Sequence, residues 1–163
     1  MSVTIRATAP APKPGMVHRL KDRWMAGQYR GAVRAMQLHA PTSLADIIAE
    51  ASPMLEPVVA AEIERLLRTG GAPFVSFANT LMPRMRASFG VTEAQLATLA
   101  PDSLAAAEKR CNACSQAARC WTALRARASS GDCRAFCPNA PVFDELVRER
   151  EGVVVQNRPR FTS

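Results

Sequence analysis

The chain has 163 residues, 48% hydrophobic and only 6% aromatic, which suffices for one domain with a real core, or for one domain plus a helical extension. Its formal charge of +7 calls for an acidic partner: a nucleic acid, an anionic membrane surface or an acidic protein. No stretch approaches the roughly 18–20 continuous apolar residues of a membrane span, and the opening "MSVTIRATAPAPKPG" lacks the apolar region of a secretory signal. The expected place is the cytoplasm, free or at the edge of a membrane assembly.

The charge is unevenly spread: +6 over residues 1–40, −3 over 41–72 and +4 over 73–163. Residues 1–15, with "APAPKPG", read as a disordered tail. From Met16 to about Leu38 the pattern turns helical, with Val17, Leu20, Trp24 and Met25 on one side, continued by Tyr29, Val33 and Met36. Gly27 and Gly31 weaken this basic arm. Pro41 breaks it, and Ser43 is expected to cap a short helix through Ile48. "EPVVAAEIERLLRTGG" predicts a helix with Val58, Ile63, Leu66 and Leu67 inward and Gly70–Gly71 as its stop. A boundary is expected there, giving an N-terminal helical arm (16–72) and a cysteine-rich domain (73–150), followed by a tail (151–163).

In the second half, Phe74, Phe77, Leu81, Met85 and Phe89 recur at helical spacing, with Pro83 bending or dividing the run. Thr92 caps the next helix. Pro101-Asp102-Ser103 starts the helix that delivers Cys111 and Cys114. Pro138 can start a last helix with Val142, Phe143, Leu146 and Val147 as its apolar side and Asp144 and Glu145 on a solvated face. "GVVVQ" is the one strand candidate. The expected class is therefore all-α.

All five cysteines fall between Cys111 and Cys137, spaced Cys111-x2-Cys114-x5-Cys120-x12-Cys133-x3-Cys137-Pro138. Stable disulfides are rare in the cytoplasm, where clustered cysteines more often bind metal. Two intervening residues let Cys111 and Cys114 converge on one centre, and Cys120 can reach it from the next turn. A fourth ligand must come from elsewhere, and "FCP" offers Cys137. Neutral thiols gain little by clustering, whereas thiolates gain a bound metal. Structural zinc usually takes paired Cys-x2–4-Cys knuckles, often with histidine. Here the second pair would be Cys133 and Cys137, leaving Cys120 over, and the histidines, His18 and His39, lie far off in sequence. The alternatives are redox thiols, disulfides or inert buried thiols. Trp121 and Phe136 are expected to shield the site, and Asn139 to order the loop.

The Cys-x2-Cys-x5-Cys run resembles part of the iron–sulfur loop of endonuclease III-like DNA glycosylases. That loop has a further cysteine six residues upstream of the pair, where this chain has Leu104, and the helix–hairpin–helix glycine pattern is absent. The likeness implies a cluster and no chemistry on bases. A longer stretch, from about Phe74 to Val147, resembles a bacterial family of unknown function with an Arg-Cys-x2-Cys-x5-Cys and Phe-Cys-Pro-Asn signature. Arg110, Cys111, Cys114, Cys120, Phe136, Cys137, Pro138 and Asn139 match it. Trp121 departs from its usual Trp-Leu placement, and Cys133 is outside the pattern. The resemblance implies Cys111, Cys114, Cys120 and Cys137 as the set, with Cys133 an alternative ligand or spare thiol.

The leading expectation is a small iron–sulfur protein, with a [4Fe–4S] cluster, in electron transfer or redox sensing within a larger assembly. The alternatives are a zinc-stapled protein-interaction module and a cluster-bearing nucleic-acid binder. The basic arm 16–38 is expected either to fold back on the protein's own core or to contact a protein partner, with nucleic acid or an anionic membrane as further options. No Ser-His-Asp set, paired catalytic carboxylates or phosphate loop is present, so no self-contained enzyme is expected.

Overall fold

A computed structural model of the chain describes residues 16–156, with side chains at Trp24 and over 27–149, and among these every regular element is a helix. The order is α1 (Met16–His39), α2 (Pro41–Glu50), α3 (Pro57–Arg68), α4 (Phe77–Thr80), α5 (Met82–Ser88), α6 (Glu93–Leu96), α7 (Pro101–Asn112), α8 (Ala117–Arg125), α9 (Ser130–Arg134) and α10 (Ala140–Gln156). No helix among them is long and apolar enough to cross a membrane. The tail expected over 1–15 lies outside the described residues.

The starts and stops follow local chemistry. Prolines stand in the first turn of α2, α3, α5 and α7, where the missing N–H removes no helical bond. Pro41 therefore opens α2, and Ser43 is not its cap. Thr92 and Ser129 form capping boxes with Gln95 and Asp132, each satisfying two otherwise orphaned amides. Gly70 and Gly90 take positive φ of 70° and 79° just past α3 and α5, conformations glycine adopts without Cβ strain. Pro83 divides the predicted long helix into α4 and α5. The strand candidate "GVVVQ" is helical: α10 runs on through Gln156, so residues 151–156 of the expected tail belong to the helix, and 157–163 lie outside the described residues.

Two cores form. The first gathers Val33, Leu44, Ile48, Ile63, Leu66, Leu67, Leu81 and Trp121. The second gathers Met82, Met85, Phe89, Leu96, Cys133, Phe143 and Leu146. Helix α8 is the wall between them, since Cys120 and Leu124 pack against both. The turn at Thr69–Gly71 thus separates helices but not cores. Trp121, fully buried, donates its indole N–H to the Ile48 carbonyl at 3.1 Å. Arg125 lies over the Trp121 ring and donates to the carbonyls of Ser52 and Leu55 at 2.9 and 3.2 Å. Those bonds fasten α8 to backbone acceptors of the irregular segment between α2 and α3. The arm's helices from Val33 onward are part of the body that holds the cysteines.

Candidate metal centre

Three separate pieces of backbone deliver four cysteines to one cavity. Cys111 sits in the last turn of α7, Cys114 in the turn that follows, Cys120 on α8 and Cys137 in the loop between α9 and α10. All four line a cavity whose remaining walls include Phe77, Met82, Met85, Phe136 and Phe143. Cys133 is not among its lining residues. It is buried on α9 within the second core.

Polar contacts hold the pieces in place. The turn after α7 closes on a Cys114 N–H to Cys111 carbonyl bond of 3.1 Å. Asn112, between those two cysteines, accepts the Ala78 N–H at 2.9 Å and the Ser76 hydroxyl at 3.2 Å, fastening the turn to α4. Asn139 is 2% exposed and donates its side-chain N–H to the Ala107 carbonyl at 2.9 Å. It ties the Cys137 loop to the helix that carries Cys111. Its Oδ1 is buried without a hydrogen-bond partner. Arg134 forks onto both Asp144 oxygens at 3.1 and 3.0 Å, joining α9 to α10. Asp144 is therefore an inter-helix anchor, while Glu145 stays on the exposed face.

The electrostatics are those of neutral thiols in an apolar setting. Burial, then the neighbouring Cys114 and Cys137 sulfurs, push the Cys111 thiol up to about 12. Burial and the same crowding raise Cys120 as well. Burial also raises Cys137, while the nearby backbone of Asn139 and Ala140 pulls the other way. The Gln116 N–H points to the Cys114 sulfur at 3.4 Å. This amide is preplaced for a thiolate, whose negative charge it stabilises more than a neutral thiol. Arg119 lies over the Phe136 ring at 4.6 Å from its centroid, placing a cation beside one wall of the cavity.

The donor set fits a soft or borderline metal or an iron–sulfur cluster. It is sulfur only, with no histidine or carboxylate in the lining, and thiolates select zinc, copper(I) and iron–sulfur clusters over hard cations. As the side chains stand, no three His, Cys, Asp or Glu groups among the described residues are arranged to hold one metal ion. Of the residues singled out in the sequence, His39 ends α1 on the surface, His18 lies outside the described side chains, and Trp121 belongs to the first core and not to the cavity wall. Phe136 does line the cavity. Sequence reasoning missed Asn112 and Met82. A polar residue closing a helix inside Cys-x2-Cys was the available signal for the first; nothing in the pattern marked the second.

Residues 76–149 match the Family of unknown function (DUF6455). The matched segment starts at the cap of α4 and holds all five cysteines. It agrees with the resemblance to a family of unknown function drawn from the cysteine half. No curated protein and no solved structure matches the chain.

Proposed function

We propose that this protein carries a [4Fe–4S] cluster on Cys111, Cys114, Cys120 and Cys137 and serves electron transfer or redox sensing within a larger cytoplasmic assembly. The observation that carries this reading is the convergence of four thiols, from three backbone segments, on one apolar cavity. When bound, such a cluster supplies reversible one-electron chemistry. The chain's own part is to offer four thiolates, to point the amide of Gln116 at sulfur, and to exclude water with Phe77, Phe136 and Phe143. Amide-to-sulfur bonds and burial are the levers by which a protein sets a cluster's potential. Protein partners are reached through the basic arm.

Zinc is the competing occupant, since the same thiolates would hold it and make the domain an interaction module. Anaerobic purification with iron, sulfide and zinc analysis decides. A brown protein with iron and acid-labile sulfide in equal amounts is the expected result. A colourless protein with one zinc per chain would replace the electron-transfer reading by the interaction module. Nucleic-acid binding that steepens as salt is lowered, and that needs the bound cluster, would favour the third reading.

A further inference from the structure

A second concavity, between α1 and α3, shares no lining residue with the cysteine cavity. Its rim carries Arg30, Arg34 and Arg65, and Glu62 is its one acidic lining residue. Glu62 is almost buried and already engaged. Arg65 Nε donates to both its oxygens at 3.1 and 3.0 Å, and Arg30 stands 3.9 Å away. Two guanidinium groups, Arg65 and Arg30, meet this carboxylate while Arg34 lines the groove as well, so the groove keeps an excess of positive charge above an apolar floor of Val33 and Leu66.

The adjoining face of α1 has a matching shape. Residues seven apart fall within about 20° of one line along a helix, and Trp24, Gly31 and Leu38 are spaced so. Trp24 is 64% exposed and Leu38 66%. Between them, a Cβ built at Gly31 would meet nothing within 4 Å. A ridge of two large apolar groups thus flanks a gap that itself opens into the arginine groove.

We propose that this surface docks an acidic amphipathic helix of a partner protein, its carboxylates on Arg30, Arg34 and Arg65 and its apolar side over Gly31 between Trp24 and Leu38. Charge selects the occupant. A second copy of this chain would bring the same arginines and be repelled. A flat bilayer cannot enter a concave groove. A nucleic-acid strand calls for cations spread along its phosphates, whereas these three arginines line a single hollow. Arginine forks recognise carboxylates bidentately, and the helix-in-groove mode supplies the apolar half.

The test uses the full metal-loaded chain and fluorescence anisotropy with a labelled helical peptide of leucine and glutamate repeats. Parallel arms use the same peptide with glutamine for glutamate, a single-stranded DNA oligonucleotide, and vesicles containing phosphatidylserine. The glutamate peptide should bind, weaken with salt, and weaken by about tenfold or more in Arg30→Gln/Arg34→Gln and in Gly31→Leu. The leucine variant fills open space and removes a helical glycine, so its melting should not fall below the wild-type value; if the double arginine variant melts lower, Gly31→Leu decides alone. The proposal is overturned by no binding of the glutamate peptide, by equal binding of the glutamine peptide, by unchanged affinity in Gly31→Leu, or by tighter binding of DNA or vesicles.

Discussion

The two cores on either side of α8 differ in how completely they satisfy themselves. Around Trp121 every buried polar group found has a partner within the chain: the indole N–H on Ile48, the Arg125 guanidinium on Ser52 and Leu55, and Glu62 on Arg65. Around the cysteine cavity the accounts stay open. Thiols are crowded and pushed up by burial, and Asn139 Oδ1 has no partner. A core built for packing alone would place apolar side chains at such positions, because unpaired buried polar groups cost free energy. The first region satisfies its polar groups on folding; the second leaves thiols crowded and one amide oxygen unpaired, as the proposed metal centre requires.

The largest test of that contrast is ligand removal. Cys111→Ser or Cys137→Ser should abolish or sharply lower metal content, while Cys133→Ser, outside the cavity, should leave it nearly intact. Metal-free protein should lose near-ultraviolet dichroism in the second core, because binding free energy is folding free energy here. Each thiol must shed a proton to bind, and burial holds Cys111 protonated to about 12. Metal affinity should therefore rise with pH through the neutral and alkaline range, with protons released on binding. Loss of metal in Cys133→Ser but not in Cys137→Ser would reverse the ligand assignment.

The first core should answer differently, through packing alone. Trp121→Ala removes a fully buried ring and the indole bond to the Ile48 carbonyl, at a cost of about 3–5 kcal/mol. The fragment 73–163 should fail the same way, since it keeps Trp121 and Leu81 but loses Val33, Leu44, Ile48 and Ile63. Cooperative melting of that fragment would show that the halves are separable and that α8 leans on the arm only lightly.

This coupling explains what was legible in the sequence. Helix starts were readable because proline and Thr92 act on their own neighbours. The inward faces of α3 and α10 were readable because Ile63, Leu66, Phe143 and Leu146 repeat at helical spacing. The nearness of Cys111, Cys114 and Cys120 was readable because Cys-x2-Cys-x5-Cys is a local pattern. The shared core was not, since Trp121 and Ile48 are 73 residues apart and nothing local couples them. Asp144 misled for a similar reason: its partner Arg134 lies on another helix, and one helix's periodicity cannot show that. "GVVVQ" misled because β-branched residues raise strand propensity, while continuity with α10 overrides it.

A smaller effect belongs to Asn139, at the seam between the two kinds of core. Asn139→Ala removes the bond to the Ala107 carbonyl and should cost about 1–3 kcal/mol. If the amide serves the centre as well as the fold, the variant should also lose metal faster to a chelator. Equal release rates in wild type and variant would confine Asn139 to fastening α10 on α7.

Acid should act on the first region through Glu62. Its hydrogen bond from Arg65, then the charges of Arg65 and Arg30, hold its carboxyl below the ordinary value of 4.5 despite burial. The sign follows: the depressed folded value stabilises the fold above the unfolded value, and that stability is lost as pH falls through the folded one. Glu62→Gln should flatten the acid limb of stability measured by urea melts between neutral and acid pH. An unchanged limb would move the acid sensitivity elsewhere.

The smallest expected effect separates folding from docking on α1. A Cβ at Gly27 meets nothing within 4 Å, and its φ is not in the left-handed region. Glycine inside an exposed helix costs about 0.5–1 kcal/mol against alanine, and nothing in the described structure requires it. Gly27→Ala should therefore raise stability by about that amount, read as a higher urea midpoint at constant slope. If the proposed partner helix seated over Gly31 also approaches Gly27, a methyl added there pushes the two backbones apart. The same variant should then bind the leucine–glutamate peptide more weakly while melting higher. A protein that becomes more stable and docks just as well would leave Gly27 with no part in the contact and narrow the surface to Gly31 and its arginines.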